Sequence, residues 1–368
     1  MTPLAQELAR LIRDEGPLSV SRYMALCLGH PRHGYYMKQD PFGAAGDFTT
    51  APEISQVFGE LIGLWAATVW RMMGEPAALR LVELGPGRGT LMQDVLRAAR
   101  IVRGFREALS VHLVETSPVL RARQAETLGA AGVTPVWHDR VEDALEGPAI
   151  VLANEFLDAL PLDQFVLTPE GWRERLVGLN GEGQLAFGLS AEPAGEIARA
   201  TPPGAVLEQP LAALETVATV ARHVAARGGA ALFIDYGSMR SGFGDTLQAM
   251  RRHGFVDALA EPGDADLTVH VDFARMAQAA RAAGAAVHGP ATQRDFLLAL
   301  GLEQRTAALS RRATPEQAQT LAEGANRLVE TGSATAMGEL FKVLALAEPG
   351  LPLLPGFDLH RLSEQSEP

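Results

Sequence analysis

One cysteine, Cys27, stands in 368 residues, which excludes an intrachain disulfide and permits a reducing compartment. Basic residues are short as well: 32 Lys and Arg against 44 Asp and Glu leave a formal net charge of −12. A general nucleic-acid binder needs a basic footprint, so that class is disfavoured, while basic or arginine-bearing partners suit the acidic excess better. No apolar run approaches the roughly 20 residues that a membrane helix needs. The first residues lack the apolar core of a signal peptide, and Glu7, Asp14 and Glu15 are out of place in a transit peptide. The expectation is therefore a cytoplasmic, bacterial protein. No H-E-x-x-H pattern or cysteine cluster marks a metal site, and no Ser, His and Asp set has a spacing that proposes a nucleophilic triad. What remains is ample core material: 47% hydrophobic with 21% charged residues suffices for one large α/β domain with additions, or for two domains.

The most informative stretch is Leu81-Val82-Glu83-Leu84-Gly85-Pro86-Gly87-Arg88-Gly89-Thr90. A short apolar run ends in an acidic residue, three glycines follow at alternate positions, and Leu91, Val95, Leu96 and Ala99 then repeat at helical spacing. Strand, glycine turn and helix in that order bring a nucleotide-like ligand against the first strand of an open α/β sheet. Glycine suits that turn because a side chain blocks close backbone approach and because glycine alone takes positive φ at no steric cost. The dinucleotide fingerprint is G-x-G-x-x-G, with free amides facing a pyrophosphate. Here the spacing is G-x-G-x-G, Pro86 removes one amide donor, and Glu83 sets a carboxylate beside the turn. A carboxylate repels a pyrophosphate and suits a cation. S-adenosylmethionine, with its sulfonium and ammonium, is the better match.

Strands are expected at Leu79 to Glu83, Val111 to Glu115, Val133 to Trp137, Ala149 to Ala153 and Ala230 to Asp235, with helical stretches between the early ones. That alternation predicts a parallel, doubly wound α/β sheet. Between the fourth and fifth strands, alternating segments with turn signals at Pro169-Glu170-Gly171 and Asn180-Gly181 predict an inserted β meander. A short strand at Ala286 to His288, a helical turn at Phe296 to Leu300 and a final strand at Leu340 to Leu346 follow. Before the turn the chain reads as helical through Leu4, Leu8, Leu11 and Ile12, and again through Val20, Met24 and Leu28. Pro52-Glu53 opens a further helix that runs to Gly74.

Candidate residues cluster at the expected carboxyl ends of strands, where open sheets hold their ligands. Glu115, about thirty residues beyond the turn, can accept both ribose hydroxyls; the bland alternative is a solvated strand-end glutamate. His138 and Asp139 end the third strand, where an adenine ring would be met, though Asp139 can equally cap the next helix. Asn154, Glu155 and Asp158 follow the fourth strand; the two carboxylates can flank one cation, or Asn154 and Asp158 can simply cap a loop. Asp47 and Glu53 belong either to a lid over the ligand or to a turn and a helix start. Asp235 can line the crevice or turn the chain. Asp266, His270 and Asp272 look like a metal set, but hydrogen bonding in a polar loop accounts for them better. Cys27 sits in an apolar helical pattern and reads as core.

Several motifs go beyond the glycine turn: His30-Pro31 with Gly34-Tyr35-Tyr36, Gly46-Asp47-Phe48 with Thr50 to Gln56, and Asn154 to Pro161. Others are Phe233 to Gly237, Gly244 to Ala249, Ala265 to Thr268, and Met337-Gly338 with Leu340 to Val343. With Glu83 to Thr90 they run nearly end to end, and together they resemble the MidA family of class I S-adenosylmethionine-dependent methyltransferases. That family includes mitochondrial complex I assembly-factor arginine methyltransferases. The resemblance implies a seven-strand sheet with its last strand antiparallel, an N-terminal helical cap (1–75), a methyltransferase domain (76–348) with a β-rich insertion (156–205), and a C-terminal tail (349–368). It further implies S-adenosyl-L-methionine as cofactor, held by Glu83, Gly85, Gly87, Gly89, Thr90, Glu115, His138, Asp139 and Asn154. The expected activity is symmetric dimethylation of an arginine on a complex I subunit, assisting its assembly. Glu155 and Glu53, then Asp47 and Asp158, are the carboxylates expected to hold the guanidinium. A small-molecule methyltransferase and a cofactor-binding assembly chaperone are the alternatives.

Overall fold

Five apolar runs become the parallel core of the sheet: β1 (Leu79–Leu84), β2 (Leu109–Val114), β3 (Val136–His138), β4 (Ala149–Asn154) and β5 (Gly229–Ser238). Two more, β6 (Ala286–Thr292) and β7 (Phe341–Ala347), complete the order β3-β2-β1-β4-β5-β7-β6. The pairs within β3-β2-β1-β4-β5 are parallel, and β7 runs antiparallel to both β5 and β6. An eighth, two-residue strand, Val271–Asp272, adds to the end of β5. The expected doubly wound sheet with an antiparallel last strand is what forms. Leu81, Val82 and Leu84 on β1, Ile150 to Leu152 on β4 and Leu232 to Phe233 on β5 are all buried, so the strands read as continuous rather than alternating apolar runs.

This computed structural model describes residues 2–38, 50–195, 201, 203–252, 254–333 and 335–358. The chain divides into two units: Thr49–Leu157 with Thr216–Arg240 and Val271–Pro368, and Met1–Phe48 with Asp158–Glu215 and Ser241–His270. The first unit holds the large sheet and helices α1 (Ala51–Ile54), α2 (Gln56–Met72), α3 (Thr90–Ala99), α4 (Pro118–Ala130), α5 (Gln293–Ala299), α6 (Leu302–Ser310) and α7 (Pro315–Val329). Ser55 opens α2 by accepting a bond from the Val57 amide at 3.3 Å, and Ser117 opens α4 by accepting one from Leu120 at 3.3 Å. Phe58, Trp65 and Val69 bury α2 in the core of this unit. Residues 1–75, expected as one cap, are thus shared, with 49–75 packed in the sheet unit. Leu354 and Phe357 of the tail are also buried in that core.

The second unit is built from helices Pro3–Glu15 and Val20–Gly29, a five-stranded sheet and a three-stranded sheet. The expected meander supplies Asp163–Thr168, Gly171–Leu179 and Leu185–Leu189, and Val206–Gln209 adds a strand beyond it. Leu4, Leu8, Tyr23, Met24, Leu162 and Val177 form its core. Cys27 is buried among them, and burial pushes its thiol up to about 12, as befits a packing residue. Among the described residues no helix is long and apolar enough to cross a membrane.

Candidate cofactor and active site

The strand order reverses between β1 and β4, which is where an open sheet leaves a crevice at its carboxyl edge. The glycine turn lies at that edge. Gly85, Gly87 and Gly89 have φ of +61°, +52° and +82°, all in the left-handed region that a Cβ strains. The turn closes with the Gly89 amide donating to the Pro86 carbonyl at 2.7 Å, and α3 starts at Thr90. A Cβ at Gly85 would also lie 2.7 Å from Cδ2 of Phe156.

Glu83 is 3% exposed, and its Oε2 has no hydrogen-bond partner among the described residues. Burial pushes its carboxyl up to about 8, so it is mostly protonated at neutral pH. Oδ1 of Asn154 at the end of β4 is likewise buried without a partner. Glu83 pairs in register with Leu152, and side chains alternate along a strand, so Asn154 lies on the Glu83 face of the sheet. Two oxygens without partners among the described residues thus stand buried at adjoining strand ends.

Glu115 follows β2. Its Oε1 accepts the Ser117 amide at 2.8 Å and its Oε2 accepts Nε2 of Gln124 at 3.2 Å; burial raises its carboxyl above the usual range. Gln124 was not among the residues singled out from sequence. It is fully buried on α4, donates to the Gly87 carbonyl at 2.8 Å and accepts the Trp137 indole N–H at 2.9 Å. One amide thus ties the turn, Glu115 and β3 together. Its signal was a polar residue at the buried spacing Leu120, Gln124, Leu128.

His138 takes a different direction. Its Nε2 is 2.9 Å from Nδ1 of His112, and burial lowers both imidazoles, His112 to about 4, so the pair is neutral. By register Trp137, not His138, shares the face of Glu83. Asp139 is exposed and pairs at 2.7 Å with Arg121, whose Nε also donates to the Glu115 carbonyl at 2.8 Å.

Glu155 follows β4 with φ of +51°, a strained conformation for a residue with a side chain. Its amide donates to the Ile234 carbonyl at 2.9 Å, while its Oε1 accepts the Ala51 amide at 3.1 Å and Nδ2 of Asn154 at 3.0 Å. Buried Asp235 fixes the loop from the other side by accepting the amides of Phe156, Leu157 and Tyr236 at 3.1, 2.9 and 2.9 Å. Glu53, on α1, accepts the Thr90 hydroxyl at 2.5 Å. The structure therefore joins Glu53, Thr90, Asn154 and Glu155 through α1, although these residues are far apart in sequence.

Asp47 lies outside the described residues. Asp158 belongs to the other unit, where it is buried and its carbonyl accepts the Val269 amide at 3.0 Å. In that unit the Tyr36 hydroxyl donates to Asp266 at 2.9 Å, and the His270 amide donates to Thr246 at 3.0 Å. Asp272, in the sheet unit, caps a helix by accepting the Arg275 amide at 3.0 Å. Among the described residues no group of three His, Cys, Asp or Glu could hold a metal ion.

Residues 61–291 match the pattern of a family described as "Putative S-adenosyl-L-methionine-dependent methyltransferase". The chain is 38% identical to the Drosophila melanogaster "Protein arginine methyltransferase NDUFAF7 homolog, mitochondrial", over 93% of this chain and 84% of that protein. It is 35% identical to the Homo sapiens "Protein arginine methyltransferase NDUFAF7, mitochondrial", over 100% of this chain and 88% of that one. A crystal structure from Burkholderia thailandensis, bound to S-adenosyl-homocysteine, superposes with a TM-score of 0.82 at 30% identity, covering 96% and 94% of the two chains. The bacterial cytoplasmic location expected from sequence is corrected by these relatives. The two arginine methyltransferases named above are mitochondrial, and they point away from the bacterial cytoplasm that was expected. Charge and hydropathy near an N-terminus do not by themselves report a compartment.

Proposed function

This chain belongs to the S-adenosyl-L-methionine-dependent methyltransferases, and from that premise we propose that it methylates an arginine of a protein substrate. The observation that carries the proposal is the near end-to-end identity to proteins named as protein arginine methyltransferases. The site residues fit the donor. Glu83 and Asn154 carry buried oxygens without partners among the described residues, suited to an ammonium group, and the left-handed glycine turn admits close backbone approach. In our assignment Glu115 meets the ribose hydroxyls, Thr90 helps close the turn, and Asp139 lies toward the adenine end, while His138 is left to its pairing with His112.

When bound, the donor supplies a methyl group made electrophilic by a positive sulfur. Everything else falls to the protein, and consists of alignment and electrostatics. A guanidinium is protonated at any workable pH and is a weak nucleophile. Glu155 and Glu53 are assigned to accept its N–H bonds, localising positive charge on the held nitrogens and leaving another to face the methyl. As the N–C bond forms and the C–S bond breaks, a proton on a held N–H passes to its carboxylate, so the methylated guanidinium keeps a single positive charge. Fixing Glu155 in a left-handed backbone, with the Ala51 amide on its carboxylate, sets its direction before substrate arrives.

Glu155→Gln tests the assignment. Glutamine keeps an oxygen for the Ala51 amide but removes the charge. The expected result is loss of labelled methyl from protein in a radiolabelled-donor assay, with donor affinity nearly unchanged; undiminished turnover would remove Glu155 from the scheme. The finer proposal, symmetric dimethylation of a complex I subunit during assembly, is tested by mass spectrometry of those subunits from cells with and without the gene. Label confined to small molecules would favour another acceptor class.

A further inference from the structure

Helices α6 and α7 have no part in the chemistry described so far, yet they are fastened with unusual care. A capping box joins Thr314 and Gln317 at the start of α7. At its far end, fully buried Gln293 of α5 donates to the Leu328 carbonyl at 2.8 Å, and Arg294 donates to the Val329 carbonyl at 2.7 Å. The Gly338 amide donates to the Glu330 carbonyl at 3.0 Å. Arg305 of α6 pairs with buried Glu60 of α2 through Nε at 2.8 Å and a second nitrogen at 2.7 Å, and Arg97 of α3 holds the same carboxylate at 3.0 Å. A buried glutamine and a buried carboxylate paired with two half-buried arginines orient these two helices.

What α7 presses upon is α1, while α6 is held to α2. Gly324 of α7 faces its end: a Cβ there would lie 2.9 Å from the Ile54 carbonyl oxygen and 3.1 Å from Cβ of Ser55. Only a glycine lets the two backbones come so near. Behind that contact, α1 carries Glu53, bonded to Thr90 at the head of α3, and Ala51, whose amide is bonded to Glu155. Both bonds and the carbonyl that Gly324 faces thus belong to the same short segment, Thr50–Ser55.

We propose that α7 is a strut that sets the position of the Thr50–Ser55 segment against the glycine turn, and that Gly324 is a positioning residue for the donor site. The proposal rests on the S-adenosyl-L-methionine assignment and is independent of the acceptor. It is tested on the full chain with Gly324→Ala, Gly324→Val and the exposed control Gln319→Ala. Two readouts are needed: hydrogen exchange of the peptide spanning residues 50–55 without ligand, and calorimetric affinity for S-adenosylhomocysteine. Forcing side-chain volume into a tight contact should weaken affinity by about tenfold or more for valine, less for alanine. Exchange at 50–55 should quicken in the same order, strand peptides should be unchanged, and the control should match the parent. Lower melting temperature with parental exchange at 50–55 would overturn the strut, as would parental affinity in both glycine variants. Alanine, the smaller insertion, keeps the test open if the valine protein does not fold. Absence of ligand heat with the parent chain would count instead against the donor assignment, while the exchange comparison still decides the strut.

Discussion

Replacing Glu83 by glutamine should make the chain more resistant to unfolding at alkaline pH while weakening its hold on the methyl donor. The carboxyl sits near 8 in the folded protein against an ordinary value of 4.5, and burial is the cause. A folded-state value above the unfolded one gives a contribution that is complete below about 4.5 and is lost as pH rises through about 8. Over pH 5 to 8 that loss amounts to about 3.5 kcal/mol, on the order of the 1.36 kcal/mol per unit that linkage assigns to such a shift. Glutamine does not ionise and escapes it. Asp94, raised to about 6 chiefly by burial, contributes to both proteins and cancels. Urea unfolding at several pH values should therefore show the parent losing stability relative to Glu83→Gln across that window. Donor binding should show the opposite preference. An ammonium facing Glu83 favours the carboxylate, so binding near pH 7 should expel close to one proton, seen as a heat that depends on the buffer. The glutamine variant should bind about 30-fold or more weakly and expel none. A pH-independent stability difference, or an unchanged affinity, would refute the placement of a buried, ligand-seeking carboxyl beneath the turn.

Gly85→Ala should lose donor binding by calorimetry, because a Cβ is strained at φ +61° by about 1–2 kcal/mol and also meets Phe156. Wild-type affinity in that variant would mean that the turn relaxes without consequence. Gln124→Leu keeps the buried volume but strips partners from the Gly87 carbonyl, Glu115 and Trp137. It should lower stability by about 1–3 kcal/mol in denaturant titration and weaken donor binding together; a stability loss alone would make Gln124 purely structural.

The sheet was legible because buried parallel strands leave apolar runs, and the turn because three left-handed positions in five residues demand glycine. Strand ends were less so. β3 was expected from Val133 and begins at Val136, where its pairing with His112 starts. Helices α6 and α7 went unread, although Thr314-Pro315 with Gln317 is a capping signal, because their polar surfaces hide a narrow buried stripe. For the candidate residues the sequence offers type and position, but not partners. Nothing local to Glu155 foretells a bond to an amide 104 positions earlier, nor does anything near His138 announce its pairing with His112 across β2 and β3. Such contacts are settled by tertiary packing, which periodicity does not encode.

The most direct measurement is titration calorimetry of the purified chain with S-adenosylmethionine and S-adenosylhomocysteine, run beside a nicotinamide dinucleotide. Saturable heat with the first two, none with the dinucleotide, and marked weakening in Glu83→Gln is the predicted result. Silence with both sulfur ligands, together with tight uptake of the dinucleotide, would contradict it.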